Sequence, residues 1–228
     1  VASKTVAAIR TAMLSAGLNV PLFFSQNDGT LMQSEFASHY PVFTIASGPT
    51  NSMRGAAFLS GVLDAVIVDI GGTSTDGGML IHGFPREAAV SVNVAGVRTN
   101  FRMPDVFSTA LGGGSLIKQN PLTIGPESVG FKLAREAMVF GGGQMTATDI
   151  AVANGMAEVG DRRLVSNIES SFAEDTIDEI QKRVEDVVDQ VKISAQPVPV
   201  VLVGGGSILV RNSFDGASNV LRPSNAEV

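Results

Sequence analysis

Apolar and polar positions follow two different periods along this chain. From about Ser171 to Lys192, the residues Ile177, Ile180, Val184, Val187, Val188 and Val191 recur at helical spacing, and Asp, Glu, Lys and Arg fill the positions between. This predicts a long amphipathic helix with its aliphatic stripe against a core and its carboxylates on a solvated face. Two shorter runs are apolar without alternation, Ala65 to Val68, which ends in Asp69, and Val200 to Val203. That is the pattern of strands buried on both faces. Weaker periodicity predicts a helix over 4–16, with Val6, Ile9 and Met13 on one face and Gly17 ending it. It also predicts a strand from Val20 to Phe24, a turn at Asn27-Asp28-Gly29 and a returning strand over Thr30 to Met32. Ser47-Gly48-Pro49 reads as the start of a helix, with Ser47 as N-cap and Gly61 as its end. Strands are expected at Met79 to His82 and Val90 to Val97; Val106 to Leu111 leads into Gly112-Gly113-Gly114-Ser115, Pro121 to Gly125 is extended and turn-bounded, and a helix start is expected at Thr146 to Asp149. The stretch Gly130 to Phe140 favours no single state. No repeat of fixed period is present.

The chemistry lies at the ends of the two apolar runs. The first runs into Asp69-Ile70-Gly71-Gly72-Thr73-Ser74-Thr75-Asp76-Gly77-Gly78. Glycines let a backbone turn sharply and approach a ligand closely, and exposed N–H groups and hydroxyls can cradle phosphate oxygens. A carboxylate beside a phosphate is repelled unless a magnesium ion lies between them. The segment therefore reads as a phosphate-binding hairpin, set against the plainer reading of a Gly-rich turn. It is not a Walker loop, because no Gly-Lys-Ser/Thr follows, nor a Rossmann fingerprint, because the glycine spacing differs. The second run enters Gly204-Gly205-Gly206-Ser207, a strand–glycine–helix transition suited to a base or ribose.

Asp69 at the end of an apolar run is costly unless paired, which favours metal or phosphate work over a strand-closing role. Asp76 is evenly balanced between catalysis and an ordinary Asp-Gly turn. Gly112, Gly113, Gly114 and Ser115 either line the substrate side or form a structural loop, and no neighbouring base activates Ser115 as a nucleophile. His39, His82, Arg98, Arg102 and Glu127 are weak candidates.

Composition narrows the partners. The chain has 228 residues, a formal net charge of -6, 44% hydrophobic residues and no cysteine. A sizeable core is affordable, and nucleic acid and anionic membranes are poor partners for an acidic chain without a basic run. Disulfide and thiol chemistry are excluded, in keeping with a cytoplasmic protein. The start at Val1 and the lack of a stop signal near Val228 suggest a domain excised from a longer chain.

In the order and approximate spacing of these motifs over about residues 14–130, the chain resembles the hydantoinase A/5-oxoprolinase family. The residues that carry the resemblance are Asp69 to Asp76, which look like that family's second phosphate motif, together with Phe24 to Gly29, Ser47-Gly48-Pro49, Gly112 to Ser115 and Gly125 to Ser128. The resemblance implies an α/β fold of the ribonuclease-H-like, actin/Hsp70/sugar-kinase ATPase type, with a mixed sheet flanked by helices. It implies ATP and Mg2+ as cofactors, with Asp69 near the metal and with Asp69 and Asp76 as catalytic residues. Gly71, Gly72, Thr73, Ser74 and Thr75 would contact phosphates, and Gly204, Gly205, Gly206 and Ser207 the adenosine. The nucleotide loops then fall in 65–125 and 195–228 of a single 1–228 domain. The implied partners are a cyclic-amide small molecule, a second hydantoinase-type subunit and a further copy of the chain.

The chain departs from the pattern after Ser128 and around Gly204 to Ser207, and it lacks a first phosphate motif. The family activity is ATP-dependent opening of cyclic amides such as hydantoin or 5-oxoproline. A small-molecule kinase and an ATP-driven regulator of another enzyme are alternatives on the same fold. With the facing phosphate loop absent, catalysis by this chain alone is not expected.

Overall fold

The computed structural model describes residues 2–88, 93–94, 96–98, 102–213 and 215–226. Helix α1 (Ala2–Ser15) ends at Gly17, whose φ of 76° only glycine adopts cheaply. A hairpin follows, β1 (Phe23–Ser25) and β2 (Leu31–Gln33), folded at the Asp28-Gly29 turn. Helices α2 (Ser34–His39) and α3 (Ser47–Ser60) lead into the central sheet. Its first strands are β3 (Ala65–Ile70), β4 (Thr75–Ile81) and β5 (Phe84–Pro85). A small hairpin, β6 (Asn93–Val94) and β7 (Val97–Arg98), precedes β8 (Val106–Thr109). Strands β9 (Ser115–Lys118) and β10 (Thr123–Ser128) pair apart from the sheet. Helices α4 (Leu133–Glu136), α5 (Ala147–Asn154) and α6 (Ser170–Val191) come next, then β11 (Val198–Val203) and β12 (Ala217–Leu221).

The six-stranded sheet has the order β12-β11-β3-β4-β5, with β8 also on β4. It is mixed. Strand β11 runs parallel to both β12 and β3, whereas β4 is antiparallel to β3, β5 and β8. Both apolar runs lie at its centre, with helices on each face. Val66, Val68, Ile70, Val200 and Leu202 face the stripe of α6 and the apolar side of α5. Ala65, Ile67, Val201 and Val203 face Met53, Ala56 and Ala57 of α3. Burial on both faces is why these strands show no alternation.

Strand β4 contains the adjacent glycines Gly77 and Gly78, which the hairpin reading placed in a turn. A Cβ on Gly77 would lie 2.3 Å from Val187 Cγ1 of α6, and one on Gly78 would lie 2.7 Å from Met53 Sδ of α3. These glycines let the two helices close on opposite faces of one strand. The turn is accordingly shorter than the sequence suggests, because β4 already begins at Thr75.

Other expectations shift locally. Ser47 is the first residue of α3 and not its N-cap; that position is Ala46, at φ 60° and with no side-chain cap. The early strand begins at Phe23 and not at Val20. Of the strand expected over Val90 to Val97, residues 90–92 and 95 lie outside the described residues. The stretch from Gly130 to Phe140 is a series of short helical turns. The helix start at Thr146 is a full capping box: Thr146 and Asp149 cap each other's backbone N–H, and the buried Asp149 carboxylate also accepts from Val139 N at 2.7 Å. Among the described residues no helix is long and apolar enough to cross a membrane.

Candidate functional site

Strands β3 and β11 are adjacent and parallel, with Val203 in register with Asp69. Their carboxyl ends therefore emerge together, and each runs into one of the two glycine loops. Ligands in open α/β sheets gather at such carboxyl ends.

The first loop is the turn Gly71–Ser74, closed by a 2.9 Å bond from Gly71 N to Ser74 O. It is braced from behind. Gly113 N donates to Gly71 O at 2.9 Å, Gly114 N to Gly72 O at 2.8 Å, and Ser128 Oγ to Gly72 O at 3.2 Å. This contact needs glycine: a Cβ on Gly112 would lie 2.5 Å from Thr73 N, and one on Gly114 would lie 2.9 Å from Gly72 O. With its carbonyls engaged, the loop leaves Gly72 and Thr73 exposed and Ser74 half-buried. Thr75, read from the sequence as part of the loop lining, is fully buried, and its hydroxyl donates to Leu111 O at 2.7 Å. It anchors the start of β4. Gly113, Gly114 and Ser115 are also buried; the Ser115 hydroxyl accepts from Gly112 N at 2.9 Å and so shapes the brace.

The second loop begins at Gly204, whose φ is 82°. A Cβ there would lie 2.4 Å from both Asp69 Oδ1 and Ile70 O, and one on Gly206 would lie 2.6 Å from Ile70 Cγ2. The two loops thus touch through glycine. Gly205 is exposed, whereas Gly206 and Ser207 are buried.

Asp69 and Asp76 are direct cross-strand partners, and Asp76 is in turn opposite Ser108. Directly opposed residues share a sheet face, so both carboxylates lie on the α3 side. Ser108 Oγ donates to the Asp76 carboxylate. Asp69 also lines a cleft of about 340 Å³ with Asn51, Ser52 and Gly55 of α3, Gly204 and Asn225. Sequence reasoning missed Asn51, Ser52 and Asn225. A helix start rich in small and uncharged polar residues was the available signal for the first two, and nothing local marks the third.

Among the described residues no three His, Cys, Asp or Glu side chains gather into a metal cluster. Two adjacent carboxylates beside an exposed glycine loop suit a different arrangement, in which magnesium takes one or two carboxylates and fills its shell with phosphate oxygens and water. The donor set therefore fits Mg2+ with a nucleotide. The weaker candidates lie in ordinary settings. His39 Nδ1 is bonded to Glu35 O, His82 sits in the β4–β5 turn at φ 52°, Glu127 pairs with Lys118, and Arg102 pairs with Glu87.

A sequence model of the hydantoinase/oxoprolinase family matches residues 1–194. The second glycine loop, Gly204 to Ser207, lies beyond that match. The nucleotide-free structure of acetone carboxylase, described with a mechanism of ATP-dependent acetone carboxylation, is 18% identical, with a TM-score of 0.75 over 97% of this chain and 36% of its own. The ATP-dependent caprolactamase from Pseudomonas jessenii is 20% identical, with a TM-score of 0.67 over 98% of this chain and 37% of its own. The chain thus spans little more than a third of the length of either structure. No curated protein matches it in sequence. The likeness establishes the fold, the actin-like fold with a mixed sheet flanked by helices.

Proposed function

We propose, from the premise that this chain belongs to the hydantoinase/oxoprolinase family, that it is the second nucleotide-binding half of an ATP-dependent enzyme that opens a cyclic amide. The observation that carries this reading is the convergence of Gly71–Ser74, Gly204–Ser207 and Asp69 at the carboxyl ends of two adjacent parallel strands. A lactam as substrate is favoured by the likeness to a caprolactamase. The likeness to acetone carboxylase makes a ketone the principal competitor.

In this reading Gly72, Thr73 and Ser74 receive the phosphates, through backbone N–H groups and the Thr73 and Ser74 hydroxyls, while Gly71, whose N–H is bonded to Ser74 O, closes the turn that presents them. Thr75 contributes by fixing the loop end. Gly204 to Ser207 lie against the adenosine, where the lack of side chains allows close approach. Asp69 holds magnesium, directly or through water, with Asp76 beside it. ATP, when bound, would supply a phosphoryl group to the amide oxygen, activating the amide carbon toward water so that the ring C–N bond breaks and phosphate is released by hydrolysis. The chain's own part is to orient the phosphates and offset their charge in a fixed polar setting. Gly113, Gly114 and Ser115 serve the brace behind the loop and not substrate contact. Residues 1–228 act as one ATPase unit of a longer protein, with the facing phosphate loop elsewhere, so this length alone should be inactive.

The test uses the full-length protein with any partner subunit. ADP release is followed with Mg-ATP, with and without 5-oxoproline, hydantoin, caprolactam or acetone, and repeated with Asp69→Ala. Stimulation by a cyclic amide that the variant loses supports the reading. Stimulation by acetone alone replaces the substrate class. A phosphorylated small molecule released to solvent would identify a kinase, and nucleotide-dependent capture of a partner enzyme without turnover would identify a regulator.

A further inference from the structure

The loop after β11 carries three successive glycines and then turns through a short helical segment, Gly205–Leu209. Such a sequence has wide conformational freedom. It holds one shape only if something outside it fixes that shape. Part of the restraint comes from Asp69 and Ile70 on the β3 side, as described above. Further restraint comes from Ala226 O, which accepts from Gly204 N at 2.8 Å, and from one side chain.

Arg222 follows the edge strand β12 directly. Its guanidinium donates to the carbonyls of Ser207 and Val210, to Arg211 O at 3.3 Å and to Asn212 Oδ1 at 3.0 Å. Each of its three guanidinium nitrogens has an acceptor within Ser207–Asn212. Among the described residues the neighbouring Arg211 pairs with Glu174 and Asp178, whereas Arg222 forms no ion pair. Burial of the Arg222 guanidinium pushes its pKa below the usual arginine value, so the protein accepts a desolvation cost to keep this group in place. A planar fork can satisfy several carbonyls at fixed angles, which an ammonium group on a flexible stem cannot.

We propose that Arg222 is a positioning residue for the nucleotide: it holds the end of the Gly204–Ser207 loop through Ser207 O, together with the segment Val210–Asn212 that follows, and that loop's shape in turn selects for the adenosine moiety. The proposal rests on the assignment of this loop to adenosine above. It predicts a separation of ligand effects. The phosphate loop Gly71–Ser74 is braced independently by Gly113, Gly114 and Ser128. Loosening the second loop should therefore weaken recognition of the nucleoside and spare recognition of the phosphate chain.

The experiment measures binding of Mg-ATP and of magnesium tripolyphosphate, by calorimetry, to the full-length protein and to Arg222→Lys and Arg222→Met. Thermal melts verify that each variant is folded. The expected result is a loss of ATP affinity of about tenfold or more in Arg222→Met, a smaller loss in Arg222→Lys, and tripolyphosphate affinity within about twofold of the parent, tenfold corresponding to 1.4 kcal/mol. Unchanged ATP affinity in both variants overturns the proposal. So does an equal loss for both ligands, which marks general support of the fold. Should Arg222→Met fail to fold, the ratio of the two affinities in Arg222→Lys decides in the same way. If the parent protein binds tripolyphosphate but not ATP, the adenosine assignment itself fails. That result is visible before any variant is made.

Discussion

Asp69 and Asp76 stand directly opposite each other across the antiparallel pair β3–β4, two carboxylates on one face of the sheet. Like charges in such a pair destabilise it by up to roughly 1 kcal/mol relative to a neutral pair. In the proposed reading a bound cation offsets that repulsion.

Asp76→Asn should therefore raise the stability of the metal-free protein by roughly 0.5 kcal/mol, by removing that repulsion. It keeps an acceptor for Ser108. At the same time it should weaken the stabilisation that Mg-ATP provides. Chemical denaturation with and without Mg-ATP measures both effects, and a variant less stable without metal and unaltered in its response to Mg-ATP would contradict the pairing.

Gly112→Ala should displace the phosphate loop. Its Cβ would meet Thr73 N at 2.5 Å and Gly71 O at 2.7 Å, both backbone atoms that cannot swing aside. The expected outcome is a loss of Mg-ATP affinity of about tenfold, about 1.4 kcal/mol, in a protein that still melts cooperatively. Titration of the purified full-length variant measures it.

Gly77→Ala should overpack the interface of β4 with α6, at a cost of roughly 1–3 kcal/mol. The offending contact is the Val187 side chain, 2.3 Å from the added methyl. Val187→Ala in the same chain should recover part of the loss. Urea denaturation of both single variants and the double variant gives the coupling, and strict additivity would argue against this contact.

Asp149→Asn tests the capping box of α5. The carboxylate accepts from Val139 N, Thr146 N and Thr146 Oγ1, each at 2.7 Å. An amide group turns a donor toward one of these donors, and the loss should be about 2–3 kcal/mol for bonds to a buried charge. An unchanged denaturation midpoint would show that the cap contributes little.

Much of this protein is legible along the chain because the physics there is local. The stripe from Ile177 to Val191 fixes a helix and the face it buries. The runs at Ala65 and Val200 fix buried strands, and Thr146 with Asp149 marks a helix start through bonds spanning three residues. The glycine and hydroxyl composition of Gly71–Ser74 marks a turn with exposed N–H and hydroxyl groups, the feature on which the proposed phosphate loop rests. What the chain does not display is which glycines serve a ligand and which serve packing. Gly71 and Gly72 are in the turn, whereas Gly77 and Gly78 admit Val187 and Met53 from helices distant in sequence. Thr75 looks like its neighbours Thr73 and Ser74 until Leu111 O is seen to take its hydroxyl.

By itself, then, the sequence determined the α/β alternation, the buried strands and the glycine-rich turn proposed to meet a phosphate, since each depends on periodicity, burial or backbone freedom within a short segment. Only the tertiary structure decided that Gly204 abuts Asp69, that Gly112 to Gly114 brace the first loop and that Arg222 grips the second. Those relationships come from the parallel register of β3 with β11 and from the return of β12 beside it. Pairing between distant segments depends on how whole faces pack, and no local pattern encodes it.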